Sequence, residues 1–392
     1  MFISRIKLYN WKNFREVDIQ LAERVFIVGA NATGKSNFLD AIRFLRDISK
    51  QSGGLQYAFN IARGGMKKIR YINARKATNV NIEVHLSDSQ NKKLKWIYSL
   101  DLKHTGGGVF KNEVAVKYEK VWSADKNEYV LDRSEGSSGE DEETKKFTHL
   151  EQVTANKEFR EIASFCSEIQ YLNIVPLLIR ESESLILSKD KEDFYGRNLL
   201  ERVSKLNEKT KNSYFRKIND VLQLAIPQFE NITPIKDSNG IPHLQANYKH
   251  WRPRGNKQQE DQFSDGTLRL IGFLWALLDG TEPVLLEEPE INLHTEIIKQ
   301  LPEFIAKIQK RKSGKRQVII TTHSYDLLDT KTISPDEILL LEQGKEGTTI
   351  KKPYDIKTVI QAIEAGFSIA EATIPHTKPQ NIENITQLKM FE

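Results

Sequence analysis

The sequence has few of the residues that would place it among secreted or membrane proteins. Its 392 residues include one cysteine, Cys166, which excludes an internal disulfide; we expect this thiol to be a small core residue in a reducing cytoplasm. The longest apolar run, 270–278, is far below the ~18 residues that a membrane helix requires. The chain opens on an alternating strand pattern at 2–8 and not on an apolar signal segment. We therefore predict a cytoplasmic protein that does not enter a membrane.

The chain also lacks a strong charge of either sign. It has 58 lysines and arginines against 53 aspartates and glutamates, a formal net charge of +5. This balance neither requires nor excludes nucleic acid as a partner. The hydrophobic fraction of 39% is enough for a core, and the length suits one elaborated domain or a main domain with a smaller lobe.

The sequence does contain a complete phosphate-binding loop. Residues 29–36, Gly-Ala-Asn-Ala-Thr-Gly-Lys-Ser, match the P-loop pattern at every fixed position and stand between an apolar strand at 24–28 and an apolar helical pattern at 37–46. In this context backbone N–H groups bind phosphates, Lys35 contacts the β- and γ-phosphates, and the Ser36 hydroxyl ligates Mg²⁺. The predicted cofactors are ATP and Mg²⁺. The predicted nucleotide-binding residues are Gly29, Ala30, Asn31, Ala32, Thr33, Gly34, Lys35, Ser36 and Asn37.

Two later strands are expected to end in polar side chains. The first, 284–286, ends in Glu287 and Glu288, and the second, 317–322, is followed by His323. At the carboxyl edge of a parallel sheet such groups can face Mg²⁺ and the γ-phosphate. Glu287 would hold the metal through water, Glu288 would orient or deprotonate the attacking water, and His323 would donate to the γ-phosphate or to that water. The alternative is a strand end that merely reaches solvent with its charges.

The sequence predicts the N-terminus of a second helix near residues 264–267. Ser264 or Asp265 can cap a helix that begins near Thr267, and Gly266 allows close backbone approach. The N-terminus of such a helix favours an anion and is separate from the P-loop.

The order of these motifs resembles the ABC-type ATPase heads of the RecF, SMC and OLD families. It is most similar to the compact stand-alone members of bacterial defence and toxin–antitoxin-like loci. Residues 6–15 are similar to the opening strand and turn of those heads, and the resemblance covers 1–50 and 260–345. It implies that two heads sandwich two ATP molecules. The residues that it places in trans on the partner's γ-phosphate are Ser264, Asp265, Gly266 and Thr267.

The same resemblance assigns the remaining site residues. Glu288 matches the catalytic glutamate and His323 the switch histidine, whereas Glu287 stands where SMC heads usually carry a metal-binding aspartate. The signature is Ser-Asp-Gly-Thr where Ser-Gly-Gly-Gln is usual. The glutamine loop is either Gln51, which we favour as a further metal ligand, or Gln56. The loop expected to cross the dimer interface consists of Asn292, Leu293 and His294.

The resulting fold class is α/β: a P-loop NTPase head of the ABC type with a parallel core sheet, an antiparallel β lobe and a mainly helical insertion. Alternation over 69–132 predicts the antiparallel lobe, and residues 198–224 are expected to form the main helix of the insertion. The predicted segments are 1–132 (N-terminal half of the head with the β lobe), 133–149 (acidic flexible loop), 150–227 (helical lid or dimerisation subdomain) and 228–392 (C-terminal half of the head).

The predicted function is an ATP-hydrolysing switch that acts in phage defence or genome maintenance. Its expected partners are a second copy or a higher oligomer, a separate effector protein such as a nuclease, and DNA as a further candidate. Because the stretch after 345 is too short for the Toprim domain of OLD nucleases, we expect any nuclease to be a separate chain. The alternatives are a nucleotide-binding scaffold or DNA clamp with little hydrolysis, and a P-loop phosphotransferase.

Three weaker signals have competing interpretations. Asp40 is predicted to be a cap or surface acid. Arg63 either lies near the nucleotide or DNA or belongs to a plain turn, and the basic and aromatic stretch 248–257 is either a solvated loop or a single-strand contact.

Overall fold

The structure is a computed structural model that describes residues 1–74, 79–105, 113–134, 141–181, 193–249, 256–311 and 316–378. The chain divides into two compact units. Unit 1 comprises Met1–Gln170, Thr281–Leu285 and Gln309–Glu392, and unit 2 comprises Tyr171–Gly280 and Leu286–Ile308. The division into four consecutive segments at 132, 149 and 227 stays a prediction.

The described residues form both strands and helices. The strands are β1 Phe2–Trp11, β2 Phe14–Gln20, β3 Arg24–Gly29, β4 Val80–Ser87, β5 Leu94–Thr105, β6 Glu113–Ser123, β7 Glu128–Arg133, β8 Gln170–Leu172, β9 Phe229–Lys236, β10 Pro242–Tyr248, β11 Asn256–Gln259, β12 Val284–Glu287, β13 Val318–Thr322, β14 Ile338–Gly344 and β15 Gly347–Lys351. The α-helices are α1 Lys35–Ser49, α2 Met66–Ile69, α3 Arg160–Ser167, α4 Pro176–Arg180, α5 Leu199–Lys205, α6 Glu208–Ala225, α7 Asp265–Leu278, α8 Thr295–Ile298, α9 Leu301–Arg311, α10 Tyr325–Leu328, α11 Lys357–Glu364 and α12 Ile369–Thr373. Within the described ranges, none of these helices combines the length and the apolar character needed to span a bilayer.

An antiparallel sheet of six strands, in the order β2-β1-β4-β5-β6-β7, lies in unit 1. Its pairings are all antiparallel. Along β4 the buried side chains alternate with half-buried ones, as expected for a sheet with one face in the core and one face in water. The antiparallel lobe predicted from the alternation is therefore confirmed, and β1 and β2 belong to it as well.

The second large sheet has the order β15-β14-β3-β13-β12-β8. Every residue of β3 is buried, as expected for a strand covered on both faces, and β3 pairs in parallel with both β13 and β14. Val28 is in register with Thr322 on one side and with Leu340 on the other. Because parallel strands end at the same edge of a sheet, the residues that follow β3 and β13 leave the sheet side by side. The predicted parallel core sheet is confirmed.

Helix α1 follows the P-loop and carries a buried ionic cluster on one side. Asp40 and Asp47 are seven residues apart and thus share a helix face. Arg63 contacts both of them, at 2.9 Å from Asp40 and 2.8 Å from Asp47, and Lys12 lies 2.6 Å from Asp40. Burial opposes ionisation of Asp40, but the charges of Arg63 and Lys12 outweigh it and hold the carboxyl pKa below its ordinary value.

The prediction that Asp40 is a cap or surface acid is therefore wrong, because the sequence gives no sign that Arg63 lies across the helix. Arg63 is a buried ion-pair partner of α1. Cys166 is buried, and burial raises the pKa of its thiol to about 12, so the core role predicted for it is confirmed.

Unit 2 contains α4 to α7 and the antiparallel sheet β11-β10-β9. Where one helix over 198–224 was predicted, two helices form, because Asn207 caps a new one: its Oδ1 accepts a bond of 2.9 Å from the backbone N–H of Thr210. Helix α7 is buried from Leu268 to its end, and Trp275 on it packs against the ring of Tyr214. Within the acidic loop and the basic, aromatic stretch, residues 135–140 and 250–255 lie outside the described residues.

Candidate functional site

The P-loop joins β3 to α1 in unit 1. Gly34, the N-cap of α1, has a φ of 97°, a left-handed conformation that glycine adopts without strain. Lys35 is buried, and its Nζ donates to the carbonyl oxygens of Gly29 at 2.9 Å and Ala30 at 3.2 Å. The first turn of α1 contains no acidic residue, so its N–H groups and its dipole favour an anion. The predicted loop residues thus form a turn whose geometry suits a phosphate, and their binding of nucleotide stays a prediction.

One side chain from outside the motif fixes the shape of this loop. Asn13, in the turn between β1 and β2, donates from Nδ2 to the Thr33 carbonyl at 2.8 Å and to the Thr348 hydroxyl at 2.7 Å. Its Oδ1 accepts from Asn37 Nδ2 at 2.8 Å. A Cβ on Gly34 would lie 2.0 Å from Asn13 Nδ2, so the loop and this amide are in close contact. Sequence reasoning assigned Asn13 no role, because Thr348 is 335 residues away.

We expect Asn13→Ala to weaken nucleotide binding by about tenfold, because its hydrogen bonds, each worth about 1 kcal/mol, are lost and the Thr33 carbonyl keeps only the bond from the Thr348 hydroxyl. Titration of the protein with a slowly hydrolysed ATP analogue measures the change. The matched control is Asn247→Ala in unit 2, which removes a hydrogen bond of 2.8 Å from the Asn247 side-chain amide to Asn231 Oδ1. This variant is expected to be less stable and to keep its nucleotide affinity. Wild-type affinity in Asn13→Ala would show that the amide does not shape the loop.

His323 lies beside the P-loop at the edge of the parallel sheet. It follows Thr322, which is paired with Val28, the residue next to Gly29. Its side chain is exposed, whereas Thr321 and Thr322 are buried. The P-loop and the predicted histidine are therefore brought together within unit 1.

The two candidate glutamines of unit 1 differ in their surroundings. Gln56 donates from Nε2 to the carbonyl oxygens of Val114 and Lys146, each at 2.8 Å, and so takes part in internal bonds. Gln51 is exposed in the turn after α1. Its role as a metal ligand stays a prediction.

The predicted signature sequence starts α7 in unit 2. Ser264 is the N-cap, and its Oγ accepts a bond of 3.2 Å from the backbone N–H of Thr267. The helix begins at Asp265, two residues earlier than expected. Ser264 and Asp265 are exposed, and Arg180 pairs with Asp265 and donates to the Phe263 carbonyl at 2.7 Å. This helix start is thus capped, rigidly placed and accessible.

Gly266 lies directly against the loop that follows β12. A Cβ at this position would be 2.5 Å from the carbonyl oxygen of Asn292. The close backbone approach predicted for Gly266 is confirmed, and the segment that approaches it is the predicted dimer loop. In that loop His294 caps α8 by accepting from the backbone N–H of Glu296 at 3.2 Å.

The two acids at the end of β12 are half-buried in unit 2. Glu287 accepts a hydrogen bond from the hydroxyl of Tyr171, a partner that the sequence did not reveal. Glu288 has a φ of 42° and Asn292 a φ of 63°. Such left-handed conformations are uncommon for residues other than glycine and cluster at functional sites.

Comparisons with known proteins agree with this arrangement. Residues 24–329 match a family described as "AAA domain, putative AbiEii toxin, Type IV TA system". Endonuclease GajA of Bacillus cereus (strain VD045) is 33% identical over 94 residues, which are 24% of this chain and 15% of the length of GajA.

Two solved structures of SMC heads are also similar. A head bound to the C-winged helix domain of ScpA has a TM-score of 0.54 at 14% identity, over 90% of this chain and 98% of that one. The SMC head domain from Thermotoga maritima has a TM-score of 0.48 at 15% identity, over 90% of this chain and 99% of that one. The first of these likenesses confirms the α/β fold of a P-loop head. The chain belongs to the AAA-domain family that it matches, and its fold is similar to that of an SMC head.

Proposed function

We propose that this chain hydrolyses ATP and works as a switch, in which ATP joins two copies through their heads and hydrolysis releases them. The observation that carries the proposal is the exposed, Ser264-capped start of α7 in unit 2. The exposed N-terminus of α7 packs at Gly266 against the loop that carries Glu288. A phosphotransferase that acts alone needs one phosphate loop, whereas two copies that share ATP need a P-loop and an exposed helix start on each chain.

The chemistry is phosphoryl transfer to water. Lys35 and the N–H groups of α1 stabilise the phosphate charge, and Glu288 accepts a proton from the water that attacks the γ-phosphorus. The bond between the γ-phosphorus and the bridging oxygen breaks, and ADP leaves. His323 donates to the γ-phosphate.

The Ser36 hydroxyl and the Glu287 carboxylate suit Mg²⁺, which usually takes one or two protein oxygens together with phosphate oxygens and water. Among the residues that the structure describes, no group of three or more His, Cys, Asp or Glu could hold a metal ion. When bound, Mg²⁺ would offset the charge of the phosphates.

The output of the switch is control of a separate effector protein in phage defence. Two descriptions agree with a nucleolytic or toxic output: GajA is named an endonuclease, and the matching family is described as "AAA domain, putative AbiEii toxin, Type IV TA system". DNA is a second candidate ligand.

The test is to incubate the purified chain with ATP and Mg²⁺ without any acceptor and to measure phosphate release and molar mass by light scattering. Phosphate release together with a doubled mass in ATP is expected. Dimerisation without turnover would favour a scaffold or clamp, and turnover only with an added acceptor would favour a phosphotransferase. ATP-dependent DNA binding that weakens steeply with salt would identify a clamp on DNA.

A further inference from the structure

An arginine on α7 is buried, and among the described residues two of its three guanidinium nitrogens have no hydrogen-bond partner. Arg269 lies one turn inside the helix and is 7% exposed. Of the hydrogen-bonding atoms in the described part of the chain, none bonds its Nε or its Nη1, both of which are buried. A guanidinium does not readily neutralise itself, so burying it in this way is costly unless another group offsets its charge.

The charges close enough to offset it are carboxylates of unit 2. Burial lowers the pKa of the Arg269 guanidinium, and the charges of Asp265, Glu290 and Glu288 oppose that change. Asp265 already pairs with Arg180 on the outside of the helix. The other two carboxylates belong to the loop after β12, in which Glu290 is buried.

This loop is also tied to α7 through its backbone. The Asn292 carbonyl lies against Gly266, one turn of helix before Arg269. Within the loop, the N–H of Ile291 donates to the Glu288 carbonyl at 3.3 Å, and the N–H of Leu293 donates to the Glu290 carbonyl at 3.0 Å. The left-handed conformation of Glu288 has to be held in place by such surroundings.

We propose that Arg269 is a positioning residue whose charge holds the loop of Glu288 and Glu290 against α7 and thereby orients the Glu288 carboxylate. The proposal rests on the proposed function, because it assigns Arg269 to the same hydrolytic site. Under this proposal α7 has two roles. Its N-terminus contacts the second copy, and Arg269 within it sets the position of the general base Glu288.

Arg269→Met and Arg269→Lys test the proposal, since methionine keeps an apolar stem without charge and lysine keeps the charge. In Arg269→Met we expect kcat for ATP to fall by about tenfold or more, as for a misplaced general base, while KM and ATP-dependent dimerisation stay close to wild type. Arg269→Lys should recover a large part of kcat. A role in packing alone would lower stability and leave kcat unchanged.

The matched control is Arg202→Met, which removes an ion pair to Asp279 at the other end of α7. This variant should lose stability and keep its kcat. The proposal fails if Arg269→Met keeps wild-type kcat, or if Arg269→Lys is as slow as Arg269→Met.

Hydrogen exchange of the nucleotide-free protein separates this proposal from the proposed function. The amides of Ile291 and Leu293 should exchange faster in Arg269→Met than in wild type, and Arg269→Lys should resemble wild type. Unchanged exchange would overturn the positioning role even if the wild type hydrolyses ATP. Absence of hydrolysis in the wild type would overturn the proposed function, and the exchange rates would still decide whether Arg269 holds the loop.

Discussion

Replacement of Glu288 by glutamine is expected to lower kcat for ATP hydrolysis by about 10²- to 10³-fold, the usual contribution of a general base. The amide has nearly the shape of the carboxylate and can still bond to water, but it does not take up the proton that water must lose. The left-handed backbone of Glu288 fits glutamine as well as glutamate, so the fold should be retained. Because Lys35 and the P-loop are unchanged, ATP binding should persist and the ATP-bound pair of chains should accumulate. Steady-state phosphate release and light scattering measure the two effects.

Two other glutamate-to-glutamine variants serve as comparisons for Glu288→Gln. Glu296→Gln changes an exposed carboxylate in the first turn of α8 and should keep wild-type turnover. Glu287→Gln removes the predicted metal acid, whose partner is the Tyr171 hydroxyl, and should raise the Mg²⁺ concentration needed for half-maximal turnover. Wild-type kcat in Glu288→Gln would show that another group takes the proton.

Features carried by adjacent residues could be predicted from the sequence. The P-loop is one, because strand, glycine loop and helix follow one another over 24–49 and leave little freedom of arrangement. The cap at Ser264 is another, since its side-chain oxygen acts within one turn. The alternation in β4 likewise identified the antiparallel lobe.

Features that depend on distant residues could not be predicted. The role of Asn13 depends on Thr348, and that of Asp40 depends on Arg63, which crosses α1 from a separate turn. Arg269 was assigned no role from the sequence, and its burial follows from the packing of unit 2. In such cases the residue type is known from the sequence, but the residues that it contacts are known only from the folded structure.

Lys35→Met is expected to remove most of the stabilisation of the protein by ATP. The ammonium of Lys35 lies over the P-loop at hydrogen-bond distance from the Gly29 and Ala30 carbonyls, and the first turn of α1 offers no second cation. A charge-assisted contact to the β- and γ-phosphates would therefore be lost with no substitute. We expect a loss of about 100-fold in affinity, the effect of about 2.7 kcal/mol.

Thermal unfolding with and without ATP measures this loss. At an ATP concentration of about 100 times the wild-type Kd, binding stabilises the wild type by about 2.7 kcal/mol, whereas the same concentration stabilises a variant with 100-fold weaker binding by about 0.4 kcal/mol. Without ATP the melting temperatures should be similar, because methionine keeps the apolar stem and removes a buried charge. Lys50→Met, at the C-cap of the same helix, is the matched control and should keep the full ATP-dependent shift.

The pair of variants then separates binding from chemistry. At an ATP concentration near the wild-type Kd, Lys35→Met should dimerise and hydrolyse very little, because with 100-fold weaker binding only about 1% of its sites hold the γ-phosphate that a second α7 would contact. Glu288→Gln should dimerise without hydrolysing, because its phosphate is bound and its water is not activated. An ATP-dependent thermal shift that survives in Lys35→Met would mean that the nucleotide is held elsewhere, and both the site and the switch would have to be assigned again.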